Sequence, residues 1–179
     1  MTGRATTIRL IEAGDAEQIA THLSRDASDF ARWDPAQPAE YYTAGGQEKR
    51  IGRLLNGYRS SVGWPGAILA GDEVVGQVTV SDIIRGPFLK ASLGYWVAVP
   101  FRQQGHAGAA VSMALRVMAG ELGLHRVEAR TQVENLPSHQ VLRKNGFSTC
   151  GIAHAHSFIN GEWRDGILWE LVLHDAPPQ

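Results

Sequence analysis

Arg102, Gly105, Ala107 and Gly108 place almost bare backbone at the opening of an apolar helical stretch, in "VAVPFRQQGHAGAAVSMAL" over residues 97–115. The first turn of a helix leaves about four N–H groups without intrahelical acceptors, and the helix dipole makes that end positive. Small residues there let an anion reach the backbone, and phosphate is the usual one. An ordinary strand-to-helix turn packed closely would use the same residues, so this segment by itself leaves both readings open. Two nucleotide signatures are excluded. A P-loop needs Gly-Lys-Ser/Thr, and Gly105 is followed by His106 and Ala107. A dinucleotide fingerprint needs Gly-x-Gly-x-x-Gly near the first strand, and the spacing of Gly105 and Gly108, late in the chain, does not supply it. His154 and His156 stand two apart on a strand-like stretch, hence on one face. Two such ligands without a third make no metal site, and none is expected. Cys150, among apolar strand residues, is expected to be a packed, inert thiol.

The elements that must position these residues follow from periodicity. "TIRLIEA" alternates as a strand, and "GDAEQIATHLSRD" carries Ala16, Ile19, Ala20 and Leu23 at helical spacing. "FARWDPAQPAEYYTAG" reads as a long aromatic loop, and "QEKRIGRLLNGYRSS" as a second helix. "GAILAGDEVVGQVTVSD" reads as a hairpin turning at Gly71-Asp72, and "ASLGYWVAV" as a further strand. A helix follows over about 105–122, then the alternating "LHRVEARTQV", then a short helix stopped at Asn145-Gly146. The end reads as a hairpin around "NGE". The order β-α-α-β-β-β-α-β-α-β-β predicts an α/β protein with a mixed sheet.

Composition bounds the function. The chain has 179 residues, 44% hydrophobic and 20% charged, which suits one soluble domain with its own core. Lys and Arg number 17 against 18 Asp and Glu, so nothing electrostatic points to nucleic acid or a membrane surface. A single cysteine forbids an internal disulfide and favours a reducing compartment. The opening residues hold no apolar core of signal-peptide length, and no run approaches the ~18 apolar residues of a membrane span. A soluble, cytoplasmic protein is expected.

Arg102-x-x-Gly105-x-Ala107 after a strand and before a helix resembles the pyrophosphate signature of the GNAT superfamily of N-acetyltransferases. "NLPSHQVLRKNGF", with Asn135, Ser138, Lys144, Gly146 and Phe147, is similar to a second segment of that family. "RWDP", "IIRGPF" leading into "LGYWV", and "FINGEWRDGILWELVL" narrow the resemblance to the ribosomal-protein N-terminal alanine acetyltransferases of the RimJ/RimL type, over nearly the whole chain. Pro100 departs by standing one place later than the family's proline often does, where Val99 stands here.

The resemblance implies a single GNAT domain over 1–179 with its core at about 7–173. Its sheet would be mixed but largely antiparallel, flanked by helices, with a splayed strand before the pyrophosphate loop. It implies acetyl transfer from acetyl-coenzyme A directly to an amine, without a metal. Val97, Ala98, Val99, Arg102, Gln103, Gln104, Gly105, His106, Ala107, Gly108 and Asn135 would hold the cofactor, with the N–H groups of Val97 and Val99 polarising the thioester. Leu142 stands where many members carry an acidic tyrosine, so the family's serine, here Ser138, would serve the leaving sulfur. Glu128 is the candidate base, with Glu134 and Asp82 behind it; an ion pair with Arg126 or Arg130 would account for Glu128 equally well. Trp33, Arg85 and Tyr95 are the acceptor-site candidates. The implied acceptor is a protein N-terminus. A small amine, or a coenzyme A-binding module without chemistry, are the competing functions, and the chain would be a monomer or a homodimer.

Overall fold

Alternating apolar residues need cover on whichever face they occupy, and here the central strands are covered on both. The computed structural model describes residues 4–175. Its strands are β1 (Thr6–Leu10), β2 (Trp64–Ala70), β3 (Glu73–Ile84), β4 (Lys90–Val97), β5 (Arg126–Gln132), β6 (Ser148–Ile159) and β7 (Glu162–Val172). Its helices are α1 (Ala16–Arg25), the four-residue α2 (Ala27–Phe30), α3 (Ala44–Arg59), α4 (His106–Gly120) and α5 (Leu136–Lys144). The strands form one seven-stranded sheet in the order β1-β2-β3-β4-β5-β7-β6.

All residues of β2 are buried, as expected of a strand with helices on both sides. Ile68 and Ala70 join a core with Ala110, Val111, Ala114 and Met118 of α4 and Leu142 of α5. Ala67 and Leu69 face the opposite way, into a second core with Ile19 and Leu23 of α1 and Ile51 of α3. The alternation continues on β4, where Leu93, Tyr95 and Val97 face the α4 side and Trp96 the α3 side.

Every neighbouring pair of strands is antiparallel except β4 and β5, which α4 connects as a crossover. Those two pair over only Lys90↔Arg126, Ala91↔Val127 and Ser92↔Glu128. Beyond Ser92, β4 stays with β3 as far as Gly76↔Val97, and β5 stays with β7 as far as Gln132↔Gly166. Each strand follows its antiparallel partner, so the sheet splits between them. Past Val97 the chain turns through a short 3₁₀ segment, Val99–Phe101, where Pro100 has no ladder donor to offer.

The aromatic loop is more ordered than its prolines suggest. It holds the end of α2 and a 3₁₀ turn, Ala39–Tyr42. β6 is less regular than its alternation suggests. Its register with β7 shifts twice, and Ala155 has φ +49°. Cys150 corrects the expectation of a packed thiol: it lies exposed on this edge strand.

Candidate active site

The gap between β4 and β5 is a cleft of about 940 Å³. Leu93 to Val97 wall it on one side and Ala129 to Gln132 on the other. The start of α4 lies at one end, and Asn135, Ser138 and Val141 of the α5 segment line it as well.

Gly105 precedes α4 in a left-handed conformation, φ +87°. A residue with a Cβ is strained there, which is the physical reason for glycine. The first helical bond runs from Ala109 N–H to Gly105 C=O. The N–H groups from Gln103 through Gly108 find no acceptor among the described residues. A Cβ at Gly105 or Gly108 would meet nothing within 4 Å, and both residues line the cleft. These donors at the positive end of a 15-residue helix, facing open space, suit an anion such as pyrophosphate.

Arg102, Gln104 and His106 of this segment are anchors. Arg102 donates from Nε to Val97 C=O at 2.9 Å and from Nη1 to Asp29 Oδ2 at 2.5 Å. Gln104 reaches Pro100 C=O at 2.9 Å, and exposed Gln103 takes φ +61°. His106 is buried and its Nδ1 lies 2.8 Å from Thr6 Oγ1, so its ring is fastened to β1. Ala107 borders the cleft.

The direction of the β4 amides follows from the ladder. Ala98 N–H donates to Val75 C=O at 2.9 Å, in register with Gly76↔Val97. Opposed residues alternate between pairs that exchange hydrogen bonds and pairs that do not. The N–H groups of Val97 and Tyr95 therefore turn away from β3, toward the split. Val99 does not share this direction, contrary to expectation: its N–H donates to Asp26 Oδ2 at 2.7 Å. The 3₁₀ turn ends the strand before Val99, so the pairing of Val97 with Val99 that the resemblance implied does not form. Val97 and Tyr95 are the amide pair that opens on the cleft.

Asn135 caps α5, its Oδ1 accepting from Ser138 N–H at 3.2 Å. The Ser138 hydroxyl lies 2.7 Å from the Tyr95 hydroxyl. Burial pushes the Tyr95 phenol up to about 12, against a smaller opposite effect from the Ser138 bond. The pair is therefore protonated at neutral pH and can present an O–H to a group in the cleft. Leu142 is fully buried and takes no part. Sequence reasoning placed Tyr95 among acceptor-site residues and missed its hydroxyl partner, because β4 and α5 meet only in the folded chain.

Trp33 lines the cleft, and its C=O accepts from Gln132 Nε2 at 2.7 Å. Glu128 does not line it. It lies in the paired part of β5, with Lys90 Nζ at 3.0 Å and Arg126 Nε at 3.1 Å. Burial alone would raise its carboxyl, but Lys90 and Arg126 outweigh that and hold it below its usual range. That state suits an ion-paired carboxylate better than a base. Arg85 is exposed and bonded to the Leu122 C=O beyond α4, away from the cleft. Asp82 and Glu134 are exposed and do not line the cleft. His156 and Asp165 border the cleft while His154, which pairs with Asp165, does not, because the kink at Ala155 breaks the alternation. Among the described residues, no three His, Cys, Asp or Glu side chains converge.

A side cavity of about 310 Å³ adjoins the cleft and shares Phe30, Asp34, Pro35, Gly94, Tyr95 and Trp96 with it. Asp34 and Arg50 are its charged lining residues. The prolines around Asp34 in "RWDPAQP" mark a fixed loop, which was the available signal. Arg50 gave none, as a charge on a helix is ordinarily solvated.

A model of the acetyltransferase (GNAT) domain matches residues 6–148. The chain belongs to the GNAT acetyltransferase family. Bacillus subtilis YjcK, which is named a probable N-acetyltransferase, is 32% identical over 167 residues, covering 92% of each chain. The crystal structure of ribosomal-protein-S5-alanine acetyltransferase from Vibrio fischeri superposes with a TM-score of 0.91 at 28% identity, over 97% of this chain and 96% of that one. Mycobacterium smegmatis RimJ in complex with CoA-disulfide gives 0.90 at 28% identity, over 93% and 81%. This GNAT protein is an acyltransferase of the RimJ/RimL type, and its mixed, mostly antiparallel sheet is the GNAT fold. No helix among the described residues is long and apolar enough to cross a membrane.

Proposed function

We propose that this chain, as one acetyltransferase domain, moves an acetyl group from acetyl-coenzyme A to the α-amine of a protein N-terminus, with ribosomal proteins as the acceptor class. The observation that carries this reading is the continuity of one cleft from the free N–H groups of α4 to the Ser138–Tyr95 hydroxyl pair. Relatives that act on ribosomal protein S5 support the acceptor class.

Coenzyme A fits this cleft by its chemistry: unpartnered amides for the pyrophosphate, and an opened strand edge for the pantetheine amides. When bound, the cofactor supplies the acetyl group as an activated thioester. The free N–H groups of residues 103–108 would hold the phosphates. Val97 and Tyr95 turn their N–H groups into the cleft, where they would favour negative charge developing on a thioester oxygen. Ser138, backed by Tyr95, would donate a hydrogen bond to the departing sulfur, whose proton comes in net from the attacking amine. Arg102 and Asn135 fix the loop and the α5 turn.

No strong base is required for such an acceptor. An α-amine has a pKa of about 7.7–8.0, against about 10.4 for lysine, so roughly a tenth of it is neutral at pH 7. Glu128 is thus given the lesser role, bracing β4 against β5 through Lys90.

Calorimetric titration with acetyl-coenzyme A, then thiol release with peptides beginning Ala or Ser and with a panel of small amines, tests the reading. Mass spectrometry should place the acetyl group on the peptide α-amine. Absence of cofactor binding, or release on small amines alone, would overturn it.

A further inference from the structure

Arg50 is held differently from the other half-buried arginines of this chain. Arg9 is paired with Asp15, Arg102 with Asp29, and Arg126 with Glu128 and Glu170. Arg50 instead donates to the neutral amide oxygen of Gln77 at 2.9 Å. Gln77 is 1% exposed, and the same oxygen accepts from Trp96 Nε1 at 3.1 Å. The guanidinium also lies over the Tyr41 ring, 5.7 Å from its centroid. Among the described residues no carboxylate comes within ion-pair distance of Arg50. The fold thus fixes its orientation while leaving its charge uncompensated, in a cavity walled by Tyr41, Tyr42 and Trp96. Such a group favours a planar anion, which it can grip with two parallel N–H bonds.

Asp34 is its counterpart on the wall shared with the main cleft. The carboxylate carries no hydrogen bond or ion pair from a described side chain; only its backbone N–H is engaged, with Phe30 C=O at 3.0 Å. The segment just before it is tied down twice, by Gln132 on Trp33 C=O and by Asn160 Nδ2 on Ala31 C=O at 2.9 Å. One negative group on the wall shared with the reacting cleft and one positive group lining the side cavity alone make a pair for a ligand carrying both charges.

We propose that the side cavity selects acceptors bearing a carboxylate close to the reacting amine, with Arg50 receiving the carboxylate and Asp34 guiding the amine toward the cleft. The inference rests on the acetyl-transfer reading above and names its acceptor class: protein N-termini with Asp or Glu at the second or third position. Arg50 is a specificity residue here, distant from the bond that changes.

The test is a peptide series in one frame beginning with alanine, carrying Glu, Gln or Lys at position two or three, with free alanine as a carboxylate-bearing small amine. Thiol release is followed for the wild type, Arg50→Gln and Arg50→Lys. The wild type should prefer a Glu peptide over its Gln counterpart by about tenfold or more in kcat/KM, mainly through KM. The Lys peptides should be poorest. In Arg50→Gln the Glu:Gln ratio should fall to near one, and Arg50→Lys should keep part of it. The wild-type series needs no variant to fold, and each ratio is taken within one protein. Equal rates on Glu and Gln peptides in the wild type, or an intact ratio in Arg50→Gln, would overturn the inference while leaving N-terminal acetylation standing. Acetylation of free alanine but of no peptide, with the rate lost in Arg50→Gln, would support carboxylate selection and overturn the protein N-terminus reading. No acetylation of any of these acceptors would overturn both.

Discussion

Ser138 and Tyr95 stand 43 positions apart in the chain, yet their hydroxyls meet at 2.7 Å. A serine in the first turn of a helix is ordinarily there to satisfy backbone donors. Here the capping bond belongs to the Asn135 side chain, which leaves the Ser138 hydroxyl to Tyr95. Ser138→Ala is expected to lower kcat by about 10²-fold or more, with little change in acetyl-coenzyme A affinity. Tyr95→Phe keeps the ring and should give a smaller loss in kcat. Steady-state kinetics beside calorimetric titration separates the two quantities, and an unchanged kcat in Ser138→Ala would leave that serine a structural role. The pH profile belongs to the same pair. Because burial holds Tyr95 at about 12, its deprotonation should give no falling limb up to about pH 10. The rate on a peptide acceptor should instead rise as the α-amine loses its proton near pH 8 and then level off.

At the scale of elements, the opening of α4 does its work through absent side chains. Gly105 has two reasons to be glycine, its φ of +87° and the space it leaves for a ligand, so a substitution there confounds strain with occlusion. Gly108 separates them. It is helical, has nothing within 4 Å of a built Cβ, and lines the cleft. Gly108→Asp should therefore fold, retain its far-UV circular dichroism, and bind acetyl-coenzyme A at least about tenfold more weakly, because the new carboxylate repels an anion. Unchanged affinity would remove the pyrophosphate from this helix end. The bare stretch from Gly105 was legible in the sequence, since a missing side chain is visible there directly. The direction of the neighbouring amides was not. The family resemblance implied Val97 and Val99 together, and the turn at Val99–Phe101 gave the second N–H to Asp26 instead.

Asp26 shows how the whole molecule holds this geometry. It sits between α1 and α2, bonds Arg25 Nε at 2.7 Å, and receives the Val99 N–H at the end of β4. Burial alone would raise its carboxyl. The Arg25 and Val99 hydrogen bonds and the charges of Arg25 and Arg102 outweigh that and hold it below its usual range. A depressed folded-state pKa stabilises the native state fully above the unfolded value, near 3.9, and that contribution disappears as pH falls through the folded value. Asp26→Asn is expected to lower stability by about 1–3 kcal/mol in urea at pH 7, with the gap to wild type closing in acid. A gap that persists unchanged to pH 2 would show that the carboxylate charge is not its source.

Most elements could be read from the sequence because they rest on local rules. Apolar period sets strand or helix, the Gly71-Asp72 hairpin needs a left-handed residue, and Asn145-Gly146 ends α5 by the same conformation. The glycine-rich helix opening and the Asn135–Ser138 spacing are also local, and with them the family was legible. Tertiary structure decided what lies between elements. The split of β4 from β5 arises because each keeps its own antiparallel neighbour, a choice made by partners remote in the chain. That split created the cleft and left Glu128 in the paired region with two cations, while the β3–β4 turn carried Arg85 to the far side of α4. The approach of α3 to β3 set Arg50 against a buried amide and no carboxylate. A charge reads the same in any sequence, and whether another charge answers it is decided only when the chain brings its neighbours into place.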